Sequence, residues 1–301
     1  MEEKFEDIYD DICNSCIGRL KDVKRKNNIF IFVVFIILTI INILLYIFVD
    51  FKPEVTIAIA ISIVVLMILF INGQKNYNNI YKQTVVENLV KKYNEKLYYS
   101  TDGITRMDYK ISNYEGKFDI LESEDRIYGK LKTGDNVQIA SVRTYNINKY
   151  KLDGVNKEER VKSFDGMYGI VRLEKNLLSN INVQIDSITE HNNKDRIEMD
   201  SSEFEKYYDI ITKDKIMAMR IFTADLIEEI VNIKKKTKIP VEIKIDENMI
   251  YFRYKCGPMF EPPFLLRNGL DKNLLKEYFK LIYYPIELLE KLCDNINNID
   301  N

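Results

Sequence analysis

Two long apolar stretches close to the N-terminus limit what this chain can fold into more than any other feature. Ile29 to Val49 is apolar except for Thr39 and Asn42, and Val55 to Ile71 is apolar except for Thr56 and Ser62. A helix rises about 1.5 Å per residue, so a run of about 20 residues crosses the ~30 Å hydrocarbon core of a bilayer. The second run sits at the short end of the usual range of about 17–25 residues. Between the runs, Asp50, Lys52 and Glu54 carry charges that need water, and Pro53 stops helix propagation. Two helices joined by a tight turn satisfy every backbone polar group inside lipid. A core hairpin of a soluble protein would carry a charged face on each helix, and these runs carry none. The pattern therefore predicts a transmembrane helical hairpin over 28–73, with spans over 29–49 and 55–71 and the lipid bilayer as partner. The spans hold no charge, which gives a channel or transporter little support.

Lys21, Lys24, Arg25 and Lys26 precede the first run, Lys75, Lys82, Lys91 and Lys92 follow the second, and the turn has only Lys52. Lys and Arg collect on cytoplasmic flanks. The bias predicts a two-span protein of the cell membrane with both termini in the cytoplasm. The four Cys then lie in a reducing compartment.

The flanks of the hairpin read as helices. Residues 1–27 form a cytoplasmic amphipathic helix in which Phe5, Ile8, Tyr9, Ile12, Cys13, Cys16, Ile17 and Leu20 recur at helical spacing. Residues 74–98 form a stalk helix with Val86, Leu89, Val90, Tyr93 and Leu97 on one side. A hairpin that turns back on itself sets these two helices antiparallel. Counting outward from positions 27 and 74 places Glu6, Asp7 and Asp10 opposite Lys91, Lys92 and Lys96. Cys13 and Cys16 form a CxxC, but a structural zinc site needs a second ligand pair. Both Cys fall on the apolar stripe, where packing is the simpler reading.

From residue 99 to 301 the pattern becomes that of a cytoplasmic α+β domain, β-rich and mostly antiparallel. Ile127–Leu131 and Val137–Ala140 flank the turn Thr133-Gly134-Asp135-Asn136. Met167–Leu173, Val183 to Ile185 and Tyr207–Thr212 read as further strands. Val241–Ile245 alternates strictly and turns through Asp246-Glu247-Asn248 into Met249–Lys255. One helix interrupts the strands, capped by Thr223 and closed by Lys234, Lys235 and Lys236. Leu274–Ile296 reads as one or two helices, broken or kinked at Pro285.

The motifs of common chemistries are absent. There is no GxxxxGK[ST], GxGxxG, HExxH or GxSxG. The single His, His191, lies in a polar stretch. No catalytic, cofactor-binding or metal-binding residue is assigned, and enzymatic activity is not expected. The 44 Lys+Arg nearly balance the 46 Asp+Glu, so no basic field points to nucleic acid. One segment stands apart: Cys256-Gly257-Pro258-Met259-Phe260-Glu261-Pro262-Pro263-Phe264, rigid and extended by its Pro residues. Phe260, Glu261 and Phe264 either anchor the loop on the core or form a docking surface for a protein partner.

Several stretches together carry a family resemblance. Glu203-Phe204-Glu205-Lys206-Tyr207 is followed by Ala218-Met219-Arg220, by Phe222-Thr223-Ala224-Asp225-Leu226, by the strand pair and by Phe260-Glu261. Ser123-Glu124-Asp125 ahead of Gly129 fits the same order. In this the chain resembles a bacterial family known as domain of unknown function 3137, from the hairpin through the soluble domain. Ala224 stands where members commonly have Pro. The resemblance implies a membrane-anchored protein and brings no catalytic residue with it. The expected function is a binding or scaffold module at the cytoplasmic face of the membrane. The alternatives are a small-ligand sensor and, after it, a membrane-associated enzyme.

Overall fold

The structure is a computed structural model that describes residues 1–48, 52–152, 155–177, 179–187, 193–265, 267 and 269–299. His191, Val49 of the first apolar run, and Asp50 and Phe51 of the segment between the runs lie outside the described residues. The chain forms two compact units, Met1–Leu89 with Glu261–Lys276, and Val90–Phe260 with Glu277–Asn301. The compact units meet between Leu89 and Val90 in sequence, and residues 261–276 group with the N-terminal helices.

In the first unit, α1 runs unbroken from Glu2 to Phe48, and α2 spans Lys52–Tyr81. No Gly or Pro lies between Arg19 and Phe48, so the amphipathic segment and the apolar run form one helix. After α2 come one π turn, Lys82–Val86, and the short helix α3, Glu87–Tyr93. Both long helices are long and apolar enough to cross a membrane. None of the most apolar 18-residue window of α1 is buried, and only 6% of that in α2. That exposure separates them from the core helices of a soluble protein. Asn42 Nδ2 donates to Ser62 Oγ at 3.0 Å between them. Gly73 lets α1 approach closely, since a Cβ there would collide with the Asn27 side chain.

Below the apolar runs, Phe5, Ile8, Ile12, Cys16 and Leu20 form the buried stripe of α1. Cys16 Sγ lies 3.5 Å from the Thr84 carbonyl, which also accepts from Asn88 Nδ2 at 2.6 Å. Outward counting pairs position 16 with 85, so the antiparallel register is off by a single residue. The partner of Glu6 differs from expectation. Glu6 pairs with Lys272 at 2.6 Å, and Glu2 with Lys276 at 2.8 Å. Both lysines open a further helix, α7 (Lys272–Asn297), which the two-helix stalk did not include. The apolar stripe of α1 takes the π turn after α2, and its acidic flank takes the start of α7. These pairs are half-exposed, so each contributes roughly 0–1 kcal/mol.

The second unit is built on one sheet. Its strands are β1 (Leu97–Asp102), β2 (Ile120–Lys130), β3 (Asn136–Leu152), β4 (Val155–Arg172), β5 (Asn180–Ile185), β6 (Arg196–Ile197), β7 (Tyr208–Thr212), β8 (Val241–Asp246) and β9 (Met249–Tyr254). Their order is β1-β2-β3-β4-β9-β8-β5-β7-β6, and every pairing is antiparallel. The β2–β3 turn closes with Leu131 N–H on Asp135 C=O at 2.9 Å, and Gly134 supplies its positive φ of 99°. In β8–β9, Glu242 faces Arg253, and the Arg253 guanidinium also covers the Tyr114 ring at 4.6 Å.

Two features depart from the sequence reading, and a third narrows it. The helix before the sheet stops at Tyr93, and β1 begins at Leu97 rather than after residue 98. The Thr223-capped helix, α6 (Ala224–Thr237), is joined by α4 (Arg106–Ile111) and α5 (Lys215–Ile221). Residues 272–297 form one helix with Pro285 inside it. Its second half packs in this unit: Tyr93 Oη donates to Glu287 at 3.0 Å, and the buried Glu290 takes Lys132 Nζ at 2.7 Å.

Tyrosines carry much of this core. Tyr109 meets Tyr168 edge-on at 4.7 Å and also touches Phe118 and Phe164. Burial pushes Tyr208 and Tyr254 up to about 12, and raises Tyr109, Tyr114 and Tyr168 as well. A raised folded-state pKa stabilises the neutral form. The stability is fully present below the unfolded tyrosine pKa of about 10 and is lost as pH rises through the folded values. We expect full-length protein in detergent to keep its near-ultraviolet circular dichroism up to about pH 10 and lose it cooperatively by about pH 12. Tyrosinate absorbance of exposed rings such as Tyr98 and Tyr150 should rise near pH 10, and a second rise should accompany the loss of the fold. Ionisation of all the rings with the fold intact would show the core tyrosines to be solvated.

Candidate functional site: an acidic groove beside α6

The three sequence candidates separate in the structure. Phe260 is fully buried, with its ring edge-on to Tyr278 at 5.5 Å and to Tyr99 at 6.2 Å. It plugs the core of the second unit. Glu261 is exposed. Phe264 belongs to the first unit and is 49% exposed, with its ring 5.3 Å from Phe70. Burial pushes the Cys256 thiol up to about 11 and raises Cys293 too, which keeps both away from thiolate chemistry at neutral pH. Among the described residues no cluster of three or more His, Cys, Asp or Glu is placed to hold a metal.

The second unit contains a groove of about 710 Å³ that the sequence reading missed. One wall is the segment Glu198–Glu203, and the other is α6 with the end of α5. The first wall is stapled to the sheet by Arg196. Its Nε meets Asp209 Oδ1 at 2.6 Å, its Nη2 meets Glu205 Oε2 at 2.6 Å, and its Nη1 meets Glu198 Oε1 at 3.3 Å. Asp209 is fully buried on β7 and also accepts from Ser187 N–H at 3.0 Å. Glu205 uses its second oxygen to accept Met199 N–H at 2.9 Å. This explains the Glu-Phe-Glu triplet. Glu205 holds the arginine, Phe204 is buried and stacked on Tyr208 at 5.2 Å, and Glu203 is left at the groove edge.

The second wall is fixed at the α5–α6 junction. Thr223 has the extended backbone of an N-cap, but its hydroxyl does not cap the helix. Asn295 Nδ2 instead lies 3.2 Å from Thr223 Oγ1 and donates to the Ile221 carbonyl at 2.8 Å. The groove floor is apolar, with Met199, Phe222, Ile227 and Val231, and Met219 stands 56% exposed at its lip. The rim is acidic, with Glu198, Asp200, Glu203 and Glu228. Lys235 is the lining cation, and Glu203 holds it at 2.7 Å. Behind α6 lies a second recess of about 440 Å³ bearing Asp225, Glu229 and Asp294, where Lys291 meets Glu229 at 3.2 Å. Negative charge thus flanks α6 on both sides. An apolar floor with an acidic rim suits an apolar side chain carried between Lys or Arg residues.

No curated protein and no solved structure matches the chain. Residues 162–293 match the model of a family described as "Protein of unknown function (DUF3137)". The match starts within β4 and ends within α7, so it contains the groove. The apolar hairpin and Ser123-Glu124-Asp125, to which the resemblance read from the sequence also extended, lie outside it. Over residues 162–293 the chain resembles the DUF3137 family.

Proposed function

We propose that the protein is a binding module held at the cytoplasmic face of the cell membrane by the α1–α2 hairpin, and that the groove beside α6 takes a basic protein segment with an apolar anchor. The groove carries the partner reading. Met219 and Met199 offer apolar contact, and Glu198, Asp200 and Glu228 set the sign of the charge that fits. The uncovered apolar surface of the hairpin and the Lys and Arg beside both spans support the anchor and its sidedness. Confinement to a membrane raises the effective concentration of module and partner, so a modest groove suffices for binding.

A photo-crosslinking residue at position 219, in membranes containing the full chain, tests the partner site. The expected result is a discrete adduct that falls by about tenfold when Glu198, Asp200 and Glu228 are changed together to Lys, and that weakens as salt rises. An adduct indifferent to charge reversal and to salt would contradict the reading.

A further inference from the structure

A loop that lies some two hundred residues beyond the apolar runs in sequence returns to the end of the second run within the first unit. Among the described residues of this loop, Phe264 is the large apolar one that stays half-exposed, and its ring rests on Phe70 at 5.3 Å. Phe70 is the last residue but one of the second apolar run. Gln74 stands one helical turn further on, on the same side of α2. Its Oε1 accepts Leu265 N–H at 2.7 Å, and its Nε2 reaches the Pro263 carbonyl at 3.5 Å. One side chain therefore brackets Phe264 from both sides. The other helix adds a second tie, because the Lys24 ammonium donates to the Arg267 carbonyl. Pro262 and Pro263 stiffen the approach, so little freedom is lost in holding the ring outward. Arg25, Lys26 and Lys75 are exposed just beyond the same end of the two apolar runs, and Arg267 of the loop is exposed as well.

We propose that this loop is a lipid-contacting element, which seats Phe264 in the boundary between headgroups and acyl chains of the cytoplasmic leaflet. The inference rests on the anchoring reading above. The end of an apolar span lies at the membrane interface, a level where aromatic rings are favoured and where exposed Lys and Arg meet anionic headgroups. Tying the loop to both helices at this level fixes the depth of the ring.

The chain contains no Trp, so a single introduced Trp reports alone. Phe264→Trp and, separately, Phe35→Trp would be placed in the full chain. Each variant would be reconstituted in vesicles of phosphatidylcholine and phosphatidylglycerol, with or without bromine near the headgroup end of the acyl chains. The expected result is that Trp at 264 loses about half its emission to the bromines and at 35 is quenched as well. An unquenched Trp at 264 beside a quenched Trp at 35 would overturn the lipid contact and leave the anchor standing. If neither Trp is quenched, the anchoring reading falls and the lipid contact falls with it.

Discussion

Phe260→Ala is expected to lower the stability of the second unit by about 3–5 kcal/mol, the usual cost of emptying a buried phenylalanine site. Phe264→Ala is expected to change it by less than about 0.5 kcal/mol, as at other exposed positions. The two residues close the same Pro-rich segment, and sequence reasoning grouped them as one candidate. The structure gives them opposite surroundings. Phe260 is enclosed by Tyr99 of β1 and Tyr278 of α7, two aromatic partners that cannot collapse into the space left by its ring. Loss of that ring therefore removes both transfer energy and contacts. Urea unfolding of the full chain in detergent, followed by near-ultraviolet circular dichroism, reads the difference. Equal midpoints for the two variants would show that Phe260 is not part of the core.

Asp substitutions at Ile40 and Ile63 are expected to have a larger effect, on location rather than stability. Each places a charge in the middle of an apolar run, at a cost of about 2.5–3.5 kcal/mol for insertion of a helix. The hairpin has little polar compensation to offer. The described contact between the two runs is the neutral pair Asn42 and Ser62. Both Ile residues are at least 49% exposed, so lipid rather than protein would surround the new charges. The double variant should leave the membrane fraction, while Ile40→Leu with Ile63→Leu should stay in it. Retention of the Asp variant would show that the helices do not depend on lipid.

Much of the fold was legible where one local signal sufficed. The strict alternation of Val241–Ile245, its turn and its return strand gave β8 and β9 in register. Thr133 to Asn136 marked the β2–β3 turn, because the chain must reverse there and Gly134 permits it. The apolar stripe of α1 and the geometry of a hairpin placed Cys16 within one residue of its contact in the π turn after α2. Short elements were lost, since a helix of six or seven residues shows no periodicity. Even so, Thr105 and Asp108 form a capping box ahead of α4, a signal the sequence does contain. The partner of Glu6 was misplaced because charge pairing can be satisfied by any nearby cation, and Lys272 arrives from far along the chain. The groove was invisible for a related reason. Its walls come from 198–203 and 219–235, and each reads in sequence as a separate weak motif. The fork of Arg196 joins Glu205 to Asp209, and only the folded register of β6 on β7 brings them together.

The anchor is the claim on which the proposed function and the lipid contact both depend, and alkaline extraction of membranes from cells making the full chain tests it most directly. High pH strips proteins held by charge or by partners and leaves those whose helices lie in hydrocarbon. The account predicts that the full chain stays in the pellet and that the Ile40→Asp, Ile63→Asp variant moves to the supernatant. Release of the unaltered chain into the supernatant would contradict it.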